Sequence, residues 1–233
     1  MVAFTTIALV CAQTQNVRWA RPGGCDPAIC GPTCNGSFEC PLPTIQAAVN
    51  ALGPGGGQVS LFAGTYQGAG NSNIRLANGQ FTINAGQGIQ SATIDCGGNP
   101  GFSVENGNFD FIGLVVQNCQ RPGGNGGAFS ARFATITLDT LRVTNNAAAR
   151  GGGLYLESGS GFSFRSFIVN NTATDVGGGI FVTGASFSVV ESNVTDNQPD
   201  DIACANGSVQ EFRPIATGEV TCLPGCGSAL CPA

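Results

Sequence analysis

The sequence predicts an all-β chain, a parallel β-helix (β-solenoid) of about five to six coils, with a short N-terminal capping α-helix and disulfide-rich ends. Three observations predict it: a repeat of about 26 residues, period-two alternation of apolar and polar residues inside each repeat, and cysteines gathered at the two ends. The repeat is seen in Gly126-Gly127-Ala128-Phe129, Gly152-Gly153-Leu154-Tyr155 and Gly178-Gly179-Ile180-Phe181. A step of 26 aligns Ile136 with Phe162, Leu138 with Phe164, Leu141 with Phe167 and Val143 with Val169, so apolar residues replace apolar residues. The residues between are mostly polar, the sign of short strands with one buried face. No repeat contains a helical stretch of about ten residues, which excludes helical-pair, ankyrin and leucine-rich repeats. Each repeat is then one coil, its strands pairing with their copies about 4.8 Å away.

An earlier coil is read at a step of 27: Phe102, Phe109, Phe111, Leu114 and Val116 precede Phe129, Ile136, Leu138, Leu141 and Val143. Val59 to Phe62 and Phe81 to Ile83 belong to less regular coils before it. One inward column is polar. Asn118, Asn145, Asn171 and Asn197, at spacings of 27, 26 and 26, predict a ladder of stacked amides, each donating to one neighbour and accepting from the other.

Upstream of the coils, Ile45, Ala48, Val49 and Leu52 fall at i, i+3, i+4 and i+7, one face of a helix that Gly53-Pro54 stops. Residues 44–52 are read as a cap over the open end, where core and strand edges would otherwise be exposed. The opening Thr44-Ile45-Gln46-Ala47-Ala48-Val49-Asn50-Ala51-Leu52, followed by Val59-Ser60-Leu61-Phe62-Ala63-Gly64-Thr65-Tyr66, resembles the first coil of pectin-lyase-like right-handed β-helices. The later coils resemble polymorphic outer-membrane protein repeats, with a Gly-Gly pair before an apolar residue and Phe167-Ile168-Val169-Asn170 matching their FxxN element. Together the two resemblances cover residues 43 to about 200. They imply the fold and leave function open, because the superfamily holds lyases, hydrolases, esterases, adhesins and inert surface proteins.

Charged residues make up 10% of the chain, with no Lys, no His and a net charge of −5. Such a chain offers little to neutralise phosphates, which argues against nucleic acid as a partner. Beyond the N-terminal segment no apolar stretch is long enough to span a bilayer. Residues 1–12 read as a short or truncated signal segment ending at Val10-Cys11-Ala12. Its removal leaves ten of the 11 cysteines: Cys25, Cys30, Cys34 and Cys40 in an N-terminal cap (13–42), Cys96 and Cys119 about one coil apart, and Cys204, Cys222, Cys226 and Cys231 in a C-terminal cap (201–233). Five disulfides are expected, pairing inside each terminal cluster being open; the β-helix proper is placed at 43–200. A four-thiolate zinc site at Cys25, Cys30, Cys34 and Cys40 is the rival, disfavoured because CxxC hairpins are missing. Sequons at Asn35, Asn170, Asn193 and Asn206 are compatible with glycosylation of a secreted chain.

No catalytic set is recognised. The resemblance implies calcium-binding Asp with an Arg or Lys base for a lyase, Asp with His for a polygalacturonase, and two Asp with Gln and Arg for an esterase; the lack of His excludes the second. At steps of 26, Asp139, Arg165 and Glu191 form an outward stack of alternating charge, the residues expected to act if the chain is an enzyme. Asp196, Asp200 and Asp201 are a weak calcium candidate, read first as turn residues, and no other cofactor is expected. Thr137-Ser163 and Thr140-Ser166-Ser192 are too short and mixed for an ice-binding array. The reading is a secreted or cell-surface, disulfide-stabilised β-helix with a structural, adhesive or glycan-binding role, its partner a glycan or surface protein. The alternative is a polysaccharide-active enzyme of lyase or esterase type.

Overall fold

The computed structural model describes residues 16–31, 33–228 and 231; the expected signal segment and its cleavage site lie outside them. The described chain winds as a parallel β-solenoid. Sheet I has eight strands, from Val17–Ala20 through Gly56–Leu61 to Ser208–Phe212. Sheets II and III have seven each, running from Gly64–Tyr66 to Ala216–Thr217 and from Ile74–Ala77 to Val220–Cys222. Gln120–Asn125, Ala147–Arg150 and Thr172–Val176 form a short fourth sheet between II and III. About six full coils result, followed by an abbreviated one.

The corners turn on single residues in the left-handed region. Thr140, Arg165 and Glu191 (φ 56°, 47° and 45°) carry the chain from sheet I to sheet II, and Asn118, Asn145, Asn170 and Asp196 (φ 55°, 57°, 57° and 60°) turn it after sheet II. Asn and Asp tolerate this conformation better than other non-glycine residues. Between the corners, inward residues form one core cluster that includes Phe102, Phe109, Phe111, Phe129 and Phe187. The helix Ile45–Leu52 lays Ile45, Ala48, Val49 and Leu52 onto the first coil, and the Thr44 hydroxyl caps it by accepting from the Ala47 N–H at 3.1 Å.

The coil boundaries are wider than the sequence reading places them. Val17–Ala20, assigned to the N-terminal cap, pairs in parallel with Gln58 to Leu61 as a first rung of sheet I. Past residue 200 the ladder continues, Ile202 to Ala205 pairing with Ile180 to Thr183, and Ser208–Phe212 with Ser186–Val190. The cysteines that flank these rungs pair Cys25 with Cys34, Cys30 with Cys40, Cys204 with Cys226 and Cys222 with Cys231. Cys96 pairs with Cys119 across adjacent coils.

The register corrects all four columns read at a step of 26. Phe109 opposes Ile136 at the expected step of 27, but Ile136 opposes Gly161 and Leu138 opposes Ser163, a step of 25 rather than 26. In sheet II too, Val143 opposes Ile168 rather than Val169, and Phe167 opposes Arg142 rather than Leu141. A one-residue slip exchanges the two faces of a strand. Phe162 and Phe164, expected in the core, therefore face outward, Phe162 being 41% exposed, and Gly161 and Ser163 point inward. The true corner motif is Gly126-Gly127-Ala128-Phe129 over Gly151-Gly152-Gly153-Leu154 over Gly177-Gly178-Gly179-Ile180.

The same slip separates the asparagines. Asn118 and Asn145 are left-handed corner residues, so they are not rungs of the ladder. The ladder is Asn146, Asn171 and Asn197: the Asn146 amide donates to Asn171 Oδ1 at 2.9 Å, and the Asn171 amide donates to Asn197 Oδ1 at 2.9 Å. Asn197 in turn donates to Asp201 Oδ1 at 2.8 Å, which ends the series on a carboxylate. At the other end Asn146 Oδ1 accepts from the Cys119 N–H, so the Cys96–Cys119 disulfide continues this column where the amides stop. Ser166 and Ser192, read as outward, also sit inward and fully buried; Ser192 Oγ accepts from the Ser166 N–H at 3.1 Å.

Candidate functional site: the outer face of sheet I

Sheet I presents three outward columns to solvent. In register they run Gln80, Asn108, Thr135, Ser160, Ser186, Ser208; then Gln58, Thr82, Asp110, Thr137, Phe162, Ser188, Gln210; then Asn84, Ile112, Asp139, Phe164, Val190, Phe212. Amides and hydroxyls dominate the first two columns, and apolar side chains the third. No Arg lies among these positions, and Lys does not occur in the chain. Ile112, Phe162 and Phe212 are 37%, 41% and 53% exposed, and Phe133 stands at the adjoining corner, 54% exposed. Ile112, Phe162 and Phe212 recur on alternate rungs of one sheet face and leave water in contact with apolar surface there.

Two shallow hollows open on this face. One, of about 380 Å³, is lined by Gln58, Gln80, Thr82, Asn108 and Asp110; the other, of about 360 Å³, by Asn108, Phe133, Thr135 and Ser160. Asn108 belongs to both. Near the first hollow Gln58 donates to Ser60 Oγ at 2.8 Å and to Asn84 Oδ1 at 3.3 Å, and the Thr135 and Ser160 hydroxyls stand 3.4 Å apart in the second. The surface thus offers pre-ordered donors and acceptors beside aromatic rings.

The residues expected to carry chemistry are dispersed. Arg165 and Glu191 pair across adjacent coils at 2.8 Å, with Arg165 also lying 4.6 Å over the Phe164 ring. Asp139 is outside that pair: at a step of 25 it opposes Phe164, and its Oδ1 accepts from the Thr140 hydroxyl at 2.6 Å. Asp200 and Asp201 are buried and turned to the backbone. Asp200 Oδ1 accepts from the Gly177 and Gly178 N–H groups, while Asp201 accepts from Asn197 and from the Glu219 N–H at 2.9 Å. Asp196 occupies a corner and accepts from the Thr195 hydroxyl. The structure therefore does not gather the three as one ligand set, because two of them hold the ladder and the corner together. Of the sequon residues Asn35, Asn170 and Asn206 are exposed. Asn193 lies beside Phe167 as a step of 26 requires, yet it points outward, because Phe167 itself opposes the exposed Arg142.

A second polar group lies on sheet II, where Asp95 accepts from Gln117 at 3.1 Å, Asn118 at 3.0 Å and the Gly97 N–H at 3.1 Å. Burial raises its carboxyl, but those hydrogen bonds, with one from Gln67, outweigh burial and hold it below the usual carboxylate range. A carboxyl depressed on folding stabilises fully above its unfolded pKa of about 3.9 and loses that contribution as pH falls through the lower folded value. Asp95→Asn should accordingly lower the melting temperature in neutral buffer, with the gap to the parent chain narrowing below about pH 4. An unchanging gap across that range would contradict the assignment.

No family model matches the chain, and no curated protein matches it. Among solved structures it is similar to Escherichia coli YbhC, at 11% identity over 98% of this chain and 75% of that one, with a TM-score of 0.42. It is also similar to the rice weevil pectin methyl esterase, at 16% identity over 72% of this chain and 62% of that one, with a TM-score of 0.35. Likenesses at this level carry no activity across; the class that the coordinates themselves define is the parallel β-solenoid.

Proposed function

We propose that the chain is a secreted or cell-surface β-solenoid that binds a neutral glycan on the outer face of sheet I. The observation that carries the reading is that Phe162, Phe164 and Phe212 share one sheet face with ranks of amides and hydroxyls, Arg165 at the adjoining corner lying over the Phe164 ring. A pyranose ring presents C–H groups on its flat faces and hydroxyls at its rim, so it is matched by rings flanked by hydrogen-bonding side chains. Parallel strands repeat the arrangement along the solenoid, which suits a polymer more than an isolated sugar. Five disulfides support an oxidising compartment, and the surface-type repeats are compatible with it.

The test is sedimentation of the purified protein with insoluble neutral polysaccharides, scored against Phe162→Ser/Phe164→Ser. The parent chain should co-sediment, and the double variant should bind roughly 10- to 30-fold more weakly, the loss expected for aromatic anchors. Equal binding by both proteins, or none by either across the panel, would remove the proposal. The same incubations, assayed for soluble sugar products or released ester groups with and without calcium, address the alternative of a lyase- or esterase-type enzyme. Turnover would favour that alternative.

A further inference from the structure

On the opposite flank, at the junction of sheet III and the fourth sheet, a hollow of about 290 Å³ is lined by Arg121, Asn125, Ser130, Arg132, Tyr155 and Glu157. Its electrostatics are uneven. Arg132 and Glu157 neutralise each other at 2.9 Å, and the Tyr155 hydroxyl donates to Glu157 at 3.2 Å. Arg121 enters no ion pair among the described residues, and neither does Arg75. Arg121 Nη2 donates to Ser103 Oγ at 2.8 Å, and Arg75 stands opposite Ser103 in the neighbouring strand, outside the hollow itself. Arg121 Nε donates to the Gly126 carbonyl at 3.1 Å, so the guanidinium is fixed by two contacts and keeps further N–H donors in the hollow.

Other unpaired arginines, such as Arg142 and Arg213, stand exposed on the surface. Arg121 is half-buried beside a like charge, which depresses its guanidinium through burial first and Arg75 second. Arg121 thus keeps a positive charge in a partly enclosed hollow whose one carboxylate, Glu157, is already paired with Arg132, a local cost which an anion would relieve.

We propose that Arg121 forms a subsite for an oxyanion, a carboxylate or sulfate on a small ligand, which it grips through its free N–H donors, with the charge of Arg75 on the neighbouring strand adding attraction at longer range. Asn125, Ser130 and the rim of Tyr155 surround the rest of such a ligand. A planar guanidinium fork suits both oxyanions, and the flanking hydroxyl and amide groups suit a polar body. The site is independent of the outer face of sheet I.

Calorimetric titration with sodium sulfate, sodium glucuronate and glucose tests it, on the parent chain, Arg121→Gln and Arg75→Gln. Sulfate or glucuronate should bind the parent, more weakly as sodium chloride is raised, and glucose should give no heat at this site. Whichever anion binds tighter identifies the group. Arg121→Gln should weaken binding at least tenfold. Arg75→Gln, at an exposed position whose loss spares the fold, should weaken it severalfold. Absence of anion binding to the parent, or binding unchanged in Arg75→Gln with its melting temperature preserved, would overturn the proposal. Failure of polysaccharide sedimentation leaves this result unaffected, so the two sites are judged separately.

Discussion

Asn171→Ala should lower stability by about 3–5 kcal/mol, whereas Asn145→Gly, 26 residues upstream, should change it by less than about 0.5 kcal/mol. Asn171 is 1% exposed and sits in the middle of the ladder. Its Oδ1 accepts from both the N–H and the amide of Asn146, at 3.1 and 2.9 Å, and its own amide reaches the Val143 and Val169 carbonyls as well as Asn197. Truncation strands two buried donors of Asn146 and leaves buried carbonyls short of a partner, each costing about 1–3 kcal/mol, with partial relief as the corner relaxes. Asn145 is exposed at φ 57°, a conformation that glycine adopts without strain. Thermal or denaturant unfolding of the two variants checks the claim. For a chain of this size about 4 kcal/mol is worth roughly 10 °C in melting temperature. Equal losses in the two variants would mean that Asn145 belongs to the ladder after all.

The contrast shows how far a sequence of this kind can be read. Period, alternation, helix and cysteine clustering all survive an error of one residue, so the solenoid, its cap over Ile45, Ala48, Val49 and Leu52, and the end positions of the disulfides were legible. Face assignment does not survive such an error. The Gly151-Gly152-Gly153 run lets the Gly-Gly motif be set one place late, and that choice moves Phe162 and Phe164 into the core and puts Asp139 in a stack with Arg165. A usable signal was present: at a step of 25 the paired asparagines Asn145-Asn146 fall on Asn170-Asn171, matching corner with corner and rung with rung. Sites assembled across coils are less legible still. Arg121 meets Ser103 from 18 residues away through the short fourth sheet, and nothing periodic announces the contact.

The register itself admits a sharper test, and it bears on function because the glycan face depends on it. Phe187→Ala should cost about 3–5 kcal/mol, and Phe162→Ala less than about 1 kcal/mol. Phe187 is 1% exposed and opposes Gly161, whose missing side chain leaves room for its ring: a Cβ on Gly161 would come within 3.2 Å of Phe187 Cδ2 and 2.6 Å of the Ile136 carbonyl oxygen. The large residue of one coil thus fills the space that the small residue of the next leaves, and deleting it opens a cavity in a closely packed core. Phe162 has water over much of its ring, so its removal forfeits little burial while stripping the outer face of an aromatic contact. Were Ile136 opposed by Phe162, a step of 26, instead of by Gly161, Phe162 would point inward and its truncation would cost as much as that of a buried phenylalanine. Unfolding free energies that differ by several kcal/mol place Phe162 outside, where a ligand can reach it; similar values would return it to the core and take the proposed glycan face with it.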